Sequence, residues 1–233
     1  MIKLRHVDID AVIFDLDGVI TRTARVHARA WKAALDPLLE RRGQPPFDPH
    51  GDYRRHVDGK PRLDGLRGFL AARGIALAEE EIRALAERKN ALYLGYLESD
   101  GVEVYESSIA FVRTLRGRGI RTAVISASRN CVAVLRAAGA LELFDARVDG
   151  VEAERLGLAG KPAPDIFLRA AAELGVAPAR AAIVEDALAG VEAGRRGGFA
   201  MVIGVDRGGQ AEALRAHGAS VVVSDLAELD AAA

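Results

Sequence analysis

The chain has 233 residues, half of them apolar, 28% charged and 5% aromatic, with 32 basic side chains nearly cancelling 33 acidic ones. This balance excludes a disordered or fibrous protein, and at about 100–200 residues per domain it fits one large domain or one domain carrying an insertion. A net charge of −1 provides no field to collect polyanions, so neither nucleic acid nor an anionic membrane surface is an expected partner, and any bound anion must be held locally.

Residues 1–15 include Asp8 and Asp10 and read as lacking a secretion signal. Residues 11–14, Ala-Val-Ile-Phe, form an apolar run that stops at Asp15-Leu16-Asp17-Gly18 and predict a buried strand. Helical patterns follow. Residues 25–42 carry Val26, Ala30, Ala33, Ala34 and Leu38, with Pro37 expected to kink or end the helix. Residues 43–61 are rich in Gly, Pro and Asp and predict an irregular linker. Residues 63–73 predict a second helix stopped by Gly74, and Glu79-Glu80-Glu81 opens a third that carries Ile82, Leu85, Leu92, Tyr93 and Tyr96.

From residue 103 onward, β-rich runs alternate with helical patterns. Strands are expected at 122–126, 181–185, 200–205 and 220–223, and helices at 130–138, 188–196 and 211–217. Such alternation predicts an α/β fold, a Rossmann-like doubly wound parallel sheet, here interrupted after its first strand by an all-helical segment. The expected division is a core of residues 1–22 and 100–233 and a helical cap of residues 23–99. No run of about eighteen apolar residues exists to cross a membrane, and Cys131, the single cysteine, excludes an intrachain disulfide, so a cytoplasmic protein is expected.

In open α/β sheets, ligands bind beyond the carboxyl ends of the strands. Asp15 and Asp17 occupy one such end, Ser126 a second, and Glu185-Asp186 a third. Asp-Leu-Asp-Gly alone could be an ordinary turn, but polar groups at three strand ends are hard to ascribe to turn preference. Lys161, in Gly-Lys-Pro-Ala-Pro-Asp before a helix that Asp165 could cap, is either a solvated surface charge or part of this constellation. Clustered carboxylates with one ammonium and one hydroxyl suit a divalent cation, Mg²⁺ by ligand hardness, beside a phosphoryl group that a carboxylate attacks.

These segments, in this order along the whole chain, resemble the haloacid dehalogenase-like superfamily of aspartate-nucleophile phosphotransferases. Phe14-Asp15-Leu16-Asp17-Gly18-Val19-Ile20-Thr21, Ser126-Ala127-Ser128-Arg129-Asn130 and Lys161-Pro162-Ala163-Pro164-Asp165-Ile166-Phe167 resemble its beta-phosphoglucomutase branch. The resemblance implies Asp15 as nucleophile, Asp17 as general acid/base, and Ser126 and Lys161 as holders of the phosphoryl oxygens. Mg²⁺ would be bound by Asp15, the Asp17 carbonyl, Glu185 and Asp186. Thr23 and His27 match hinge positions coupling cap closure to Asp17. Gly59-Lys60-Pro61-Arg62 matches a cap loop in which Arg62 grips the distal phosphate of a bisphosphate intermediate, while Ser128, Arg129 and Asn130 join the substrate site. Lys89 either snorkels from its apolar stripe or, as the resemblance implies, faces the site.

The implied activity interconverts beta-glucose 1-phosphate and glucose 6-phosphate, with glucose 1,6-bisphosphate as primer and a monomeric protein whose partner is a small sugar phosphate. The alternatives are a sugar-phosphate phosphatase on the same nucleophile and a non-catalytic binding module, the latter disfavoured by the presence of both Asp15 and Asp17. Three positions depart from the branch: Asp58 and Arg129 replace lysines, and Ala187 replaces a serine. Asp52, Tyr53, Arg54 and His56 carry no assignment. Cys131 reads as a small helix residue, 204–209 as a plain strand exit and 231–233 as a frayed tail.

Overall fold

The computed structural model describes residues 2–3 and 8–230; the 231–233 tail lies outside the described residues. A six-stranded parallel sheet forms the centre. After an outlying strand β1 (Ile2–Lys3) come β2 (Ala11–Asp15), β3 (Arg121–Ile125), β4 (Ala146–Val148), β5 (Ala181–Glu185), β6 (Met201–Val205), β7 (Val221–Val223) and β8 (Leu229–Asp230), with sheet order β4-β3-β2-β5-β6-β7. All neighbours in the sheet are parallel, and Ala11 to Asp15 pair in register with Arg121 to Ile125. β1 pairs in parallel with β8 as a separate two-stranded sheet, so the helical segment follows the second strand of the chain and not the first.

Every residue of β2, β5 and β6 is buried, which is why these strands read as continuous apolar runs without alternation. Alternate side chains feed the two sheet faces. Val12, Phe14, Val124 and Val184 pack on one side with Val112 and Leu115; Ile13, Ala123, Ile125 and Ile183 pack on the other with Ile166, Phe167 and Ala170. The covering helices include α4 (Glu106–Gly117), α5 (Cys131–Ala137), α6 (Gly150–Leu156), α7 (Asp165–Glu173), α8 (Leu188–Arg196) and α9 (Ala211–His217); α4, β4 and α6 had not been anticipated. Asp165 begins α7 without capping it, and its Oδ2 instead accepts the Ala159 N–H at 3.0 Å, closing the loop around Lys161.

Between β2 and α4 the chain forms α1 (Ala24–Arg41), α2 (Arg62–Ala72) and α3 (Glu79–Asp100), with a third core of Trp31, Leu35, Leu39, Phe47, Leu66, Phe69 and Leu70. α1 does not end at Pro37 but continues to Arg41. An interior proline costs about 3 kcal/mol, but Leu35, Leu38 and Leu39 around it are all buried and each contributes about 1.5–3 kcal/mol. The Glu81 side chain accepts the Ala78 N–H at 2.9 Å and so serves the orphan amides at the start of α3.

The linker expected to be irregular is strapped from outside. Asp36 accepts the Phe47 N–H at 2.8 Å, Lys32 donates to the Phe47 carbonyl at 3.2 Å, and Arg73 pairs with buried Asp52 at 2.6 Å. Its last stretch, Tyr53–Val57, is a π-helical turn that delivers Asp58 and Gly59 towards the sheet. Gly59 has φ +67°, and a Cβ there would stand 3.0 Å from the Ala187 methyl, so only glycine lets this loop lie against the end of β5.

Candidate active site

β2 ends at Asp15 and the chain turns at once. Gly18 takes φ +86°, a left-handed conformation, and a Cβ on it would meet the Asp186 carboxylate at 1.9 Å. The loop after β2 is thereby pressed against the loop after β5. Asp15, Glu185 and Asp186 are all buried, and each offers an oxygen within 4.8 Å of the others. Lys161 is buried in the same place, 2.6 Å from Asp15 and in a shorter contact with Glu185. The second Glu185 oxygen accepts the Ala187 N–H at 2.8 Å.

The charges here do not balance. Burial raises Asp15 well above the usual carboxylate range, Lys161 opposes this, and Glu185 and Asp17 add to the rise. Asp186 is likewise raised well above its usual value by burial and by the charges of Asp58, Glu185 and Asp15. Burial alone would lower Lys161, but Asp15 and Glu185 push it higher still. One ammonium against this many carboxylates leaves room for a divalent cation, and an all-oxygen set of Asp15, Glu185 and Asp186 has the hardness that Mg²⁺ requires.

Asp17 belongs to a different network. Thr23 donates to its Oδ1 in a very short bond, His27 Nε2 lies 3.4 Å from the same oxygen, and Ser126 Oγ donates to Oδ2 at 3.2 Å. Burial would raise Asp17, but His27, Thr23 and Ser126 together hold it down at about 2. His27 is itself lowered, first by burial and then by the Lys89 charge. Its Nδ1 lies 2.6 Å from Lys89 Nζ, so Asp17 and Lys89 bracket the ring. Lys89 does not snorkel: it is 4% exposed, with its ammonium 5.1 Å from the Trp31 ring and 4.8 Å from the Tyr93 ring, and burial brings it to about 7.

Both networks open onto one chamber of about 490 Å³ between the strand ends and the helical segment. Asp15, Asp17, His27, Lys89, Lys161 and Asp186 line it, as do Gly59, Lys60, Arg62, Ser128, Arg129 and Asn130; Thr23, Ser126 and Glu185 stand behind the wall, bonded to Asp17 or Lys161. Arg62 reaches the chamber from α2, with Nη1 donating to the Ala86 carbonyl at 3.1 Å and Nη2 3.3 Å from Glu87. Ser128 Oγ accepts the Asn130 N–H at 3.2 Å, and the Asn130 side chain bonds Asn90 of α3 at 2.9 Å, joining the sheet side to the helical side. Lys60 and Arg129 sit at the rim, their ends engaged by the Arg55 carbonyl and by Glu154.

Two lining residues were missed as site candidates. Tyr53 and Asp58 both face the chamber. Burial, then the charge of Glu185, raises Asp58 to about 7, with Tyr53 and Lys161 opposing. The signal was available, since Asp58 departs from the branch pattern directly before Gly59.

A family model described as haloacid dehalogenase-like hydrolase matches residues 9–198. A beta-phosphoglucomutase of Mycobacterium bovis is 47% identical over 94% of this chain and 90% of its own length. The Bacillus subtilis beta-phosphoglucomutase is 36% identical over 85% of this chain and 84% of its own. Among solved structures, the beta-phosphoglucomutase of Clostridium difficile superposes with a TM-score of 0.80 at 29% identity, over 95% of this chain and 93% of that one.

Proposed function

Because the chain belongs to the haloacid dehalogenase-like hydrolases and is beta-phosphoglucomutase-like within them, an enzyme of sugar-phosphate phosphoryl transfer or hydrolysis, we propose that it is a mutase. It interconverts beta-glucose 1-phosphate and glucose 6-phosphate. A sugar hydroxyl gives its proton to the Asp17 carboxylate and takes the phosphoryl group from phosphorylated Asp15, whose bond to phosphorus breaks. In the other half an Asp15 oxygen attacks phosphorus of the bisphosphate, the bond to the sugar oxygen breaks, and Asp17 returns that proton to the sugar oxygen. Lys161 neutralises the phosphoryl oxygens and Ser126 donates to them. Asp15, the Asp17 carbonyl, Glu185 and Asp186 would hold Mg²⁺, whose positive charge offsets repulsion between nucleophile and phosphate.

The observation that carries the mutase over simple hydrolysis is the basic far wall of the chamber. Arg62, with its side chain 21% exposed, and Lys89, buried, line the same cavity as Asp15 but from the helical side. An intermediate phosphorylated at both ends needs an anion site at each, and a guanidinium fork binds phosphate bidentately. Thr23 and His27, at the start of the helical segment, tie its position to that of Asp17, and closure there would keep water from the phosphorylated aspartate.

The test follows purified protein with Mg²⁺ and beta-glucose 1-phosphate, primed by a trace of glucose 1,6-bisphosphate, recording glucose 6-phosphate and free phosphate together. Glucose 6-phosphate with little free phosphate is expected. Free phosphate alone would make the protein a sugar-phosphate phosphatase.

A further inference from the structure

The loop between β6 and α9, which read as a plain strand exit, touches both carboxylate-bearing loops from behind. Asp206 Oδ1 accepts the N–H groups of Gly208 at 3.1 Å and Gln210 at 2.8 Å, which fixes the loop's shape. From it, Arg207 Nε donates to the Gly18 carbonyl at 2.9 Å and Gln210 Nε2 donates to the Asp186 carbonyl at 2.9 Å. The Arg207 guanidinium has little freedom, since Nη1 donates to the Ser224 carbonyl at 3.0 Å and the group lies 3.6 Å from the Tyr105 ring centre. Gly18 is held on its other side too, its N–H donating to the Thr21 carbonyl at 2.7 Å.

Gly18 and Asp186 are the point where the two loops meet, with no space between them for a methyl group. Asp15, Glu185 and Asp186 bring three carboxyl groups together in a buried place, where any charge they carry in common favours separation of the loops. Hydrogen bonds from one rigid loop to a carbonyl on each side oppose that separation.

We propose that Arg207 and Gln210 are positioning residues which together set the distance between the Asp15–Gly18 loop and the Glu185–Asp186 loop. The assignment of those carboxylates as reaction machinery rests on the function proposed above. Neither Arg207 nor Gln210 lines the chamber, and each meets a carboxylate-bearing loop at a backbone carbonyl.

Gln210→Leu, Arg207→Met, Arg207→Lys and the double variant are compared in two assays. The first is the Mg²⁺ concentration giving half of the metal-induced rise in Tm without substrate; the second is kcat and KM for beta-glucose 1-phosphate. Gln210→Leu and Arg207→Met are each expected to lower kcat and raise the Mg²⁺ midpoint by about 10-fold, with sugar-phosphate KM within about two-fold. Arg207→Lys, which keeps a donor for Gly18, should recover part of the loss. The double variant should lose less than the product of the two singles, because breaking either bond frees the same pair of loops.

Unchanged kcat and Mg²⁺ midpoint in cooperatively melting variants would overturn the proposal, as would a loss confined to KM. If Arg207→Met does not fold, Gln210→Leu decides the matter alone. A parent protein that turns over no sugar phosphate would remove the proposed function, while the Mg²⁺ midpoints would still decide the role of the loop.

Discussion

On the sheet side of the chamber, Asp15, Ser126, Lys161, Glu185 and Asp186 are all buried and sit on strand ends or a pinned loop. On the helical side, Asp58, Lys60 and Arg62 are partly exposed and come from a loop and a helix start. The sheet side owes its geometry to parallel register: Asp15 lies beside Ile125, one residue before Ser126, and Phe14 beside Val184, one residue before Glu185. No long side chain has to be ordered there except Lys161. The helical side reaches its target through long side chains with competing partners, such as Arg62 between Ala86 and Glu87. A pre-set wall favours chemistry and a pliable one favours discrimination, so substitutions on the two sides should damage different quantities.

The largest effect is expected from Asp15→Asn, which should lower turnover by about 10⁴-fold or more, measured as glucose 6-phosphate formed, because the proposed nucleophile is gone. Its Tm without metal should not fall, since burial already disfavours the Asp15 charge. A variant with near-parental turnover would remove Asp15 from the reaction. Next comes Lys161→Met, with an expected loss of about 10²–10³-fold in kcat. It also leaves buried Glu185 without the ammonium that pairs with it, a defect of about 3–5 kcal/mol that chemical denaturation of the metal-free protein would register.

The sheet side was also the more legible of the two. Ile13-Phe14-Asp15, Ile125-Ser126 and Val184-Glu185 each stop an apolar run at a polar residue, and burial on both faces makes that stop visible without any partner in view. β1 and β8 stayed hidden because two residues carry no period, and β4 because three barely do. The order in residues 45–58 depends on Asp36, Lys32 and Arg73, contributed by neighbouring helices and invisible to a local reading of Gly and Pro. The same holds for Arg207 and Gln210, whose partners Gly18 and Asp186 are far away in sequence. Lys89 and His27 could be marked from helical spacing and resemblance, but their contact with each other needed the fold.

Arg62→Ala sharpens the comparison on the helical side. Phosphoryl transfer between sugar positions should fall about 10–100-fold, whereas hydrolysis of a small aryl phosphate, which offers nothing to a distal anion site, should fall much less. Parallel steady-state assays of both reactions check this. Equal losses would mean that Arg62 supports the fold of the chamber and not a second phosphate.

The smallest effects are thermal, and they come with opposite pH slopes. Lys89 is lowered to about 7 by burial, with Asp17 opposing and Arg62 assisting, and it touches His27. Between pH 7 and 10.5 the unfolded chain therefore binds a proton that the folded one lacks, so the cost of burying Lys89 is full below pH 7 and fades as pH rises. Lys89→Met should raise Tm near pH 6–7, by about 2–4 °C for each kcal/mol, with the gain shrinking towards pH 10. Asp58 runs the other way. Raised from 3.8 to about 7 by burial, it is protonated in the folded state where the unfolded chain has already lost the proton, so its cost grows from pH 4 to pH 7 and persists above. Asp58→Asn should leave Tm unchanged near pH 4 and raise it at pH 8 in metal-free protein. Two flat difference profiles would mean that both groups keep their charges in solvent, and the helical wall would then be an open rim.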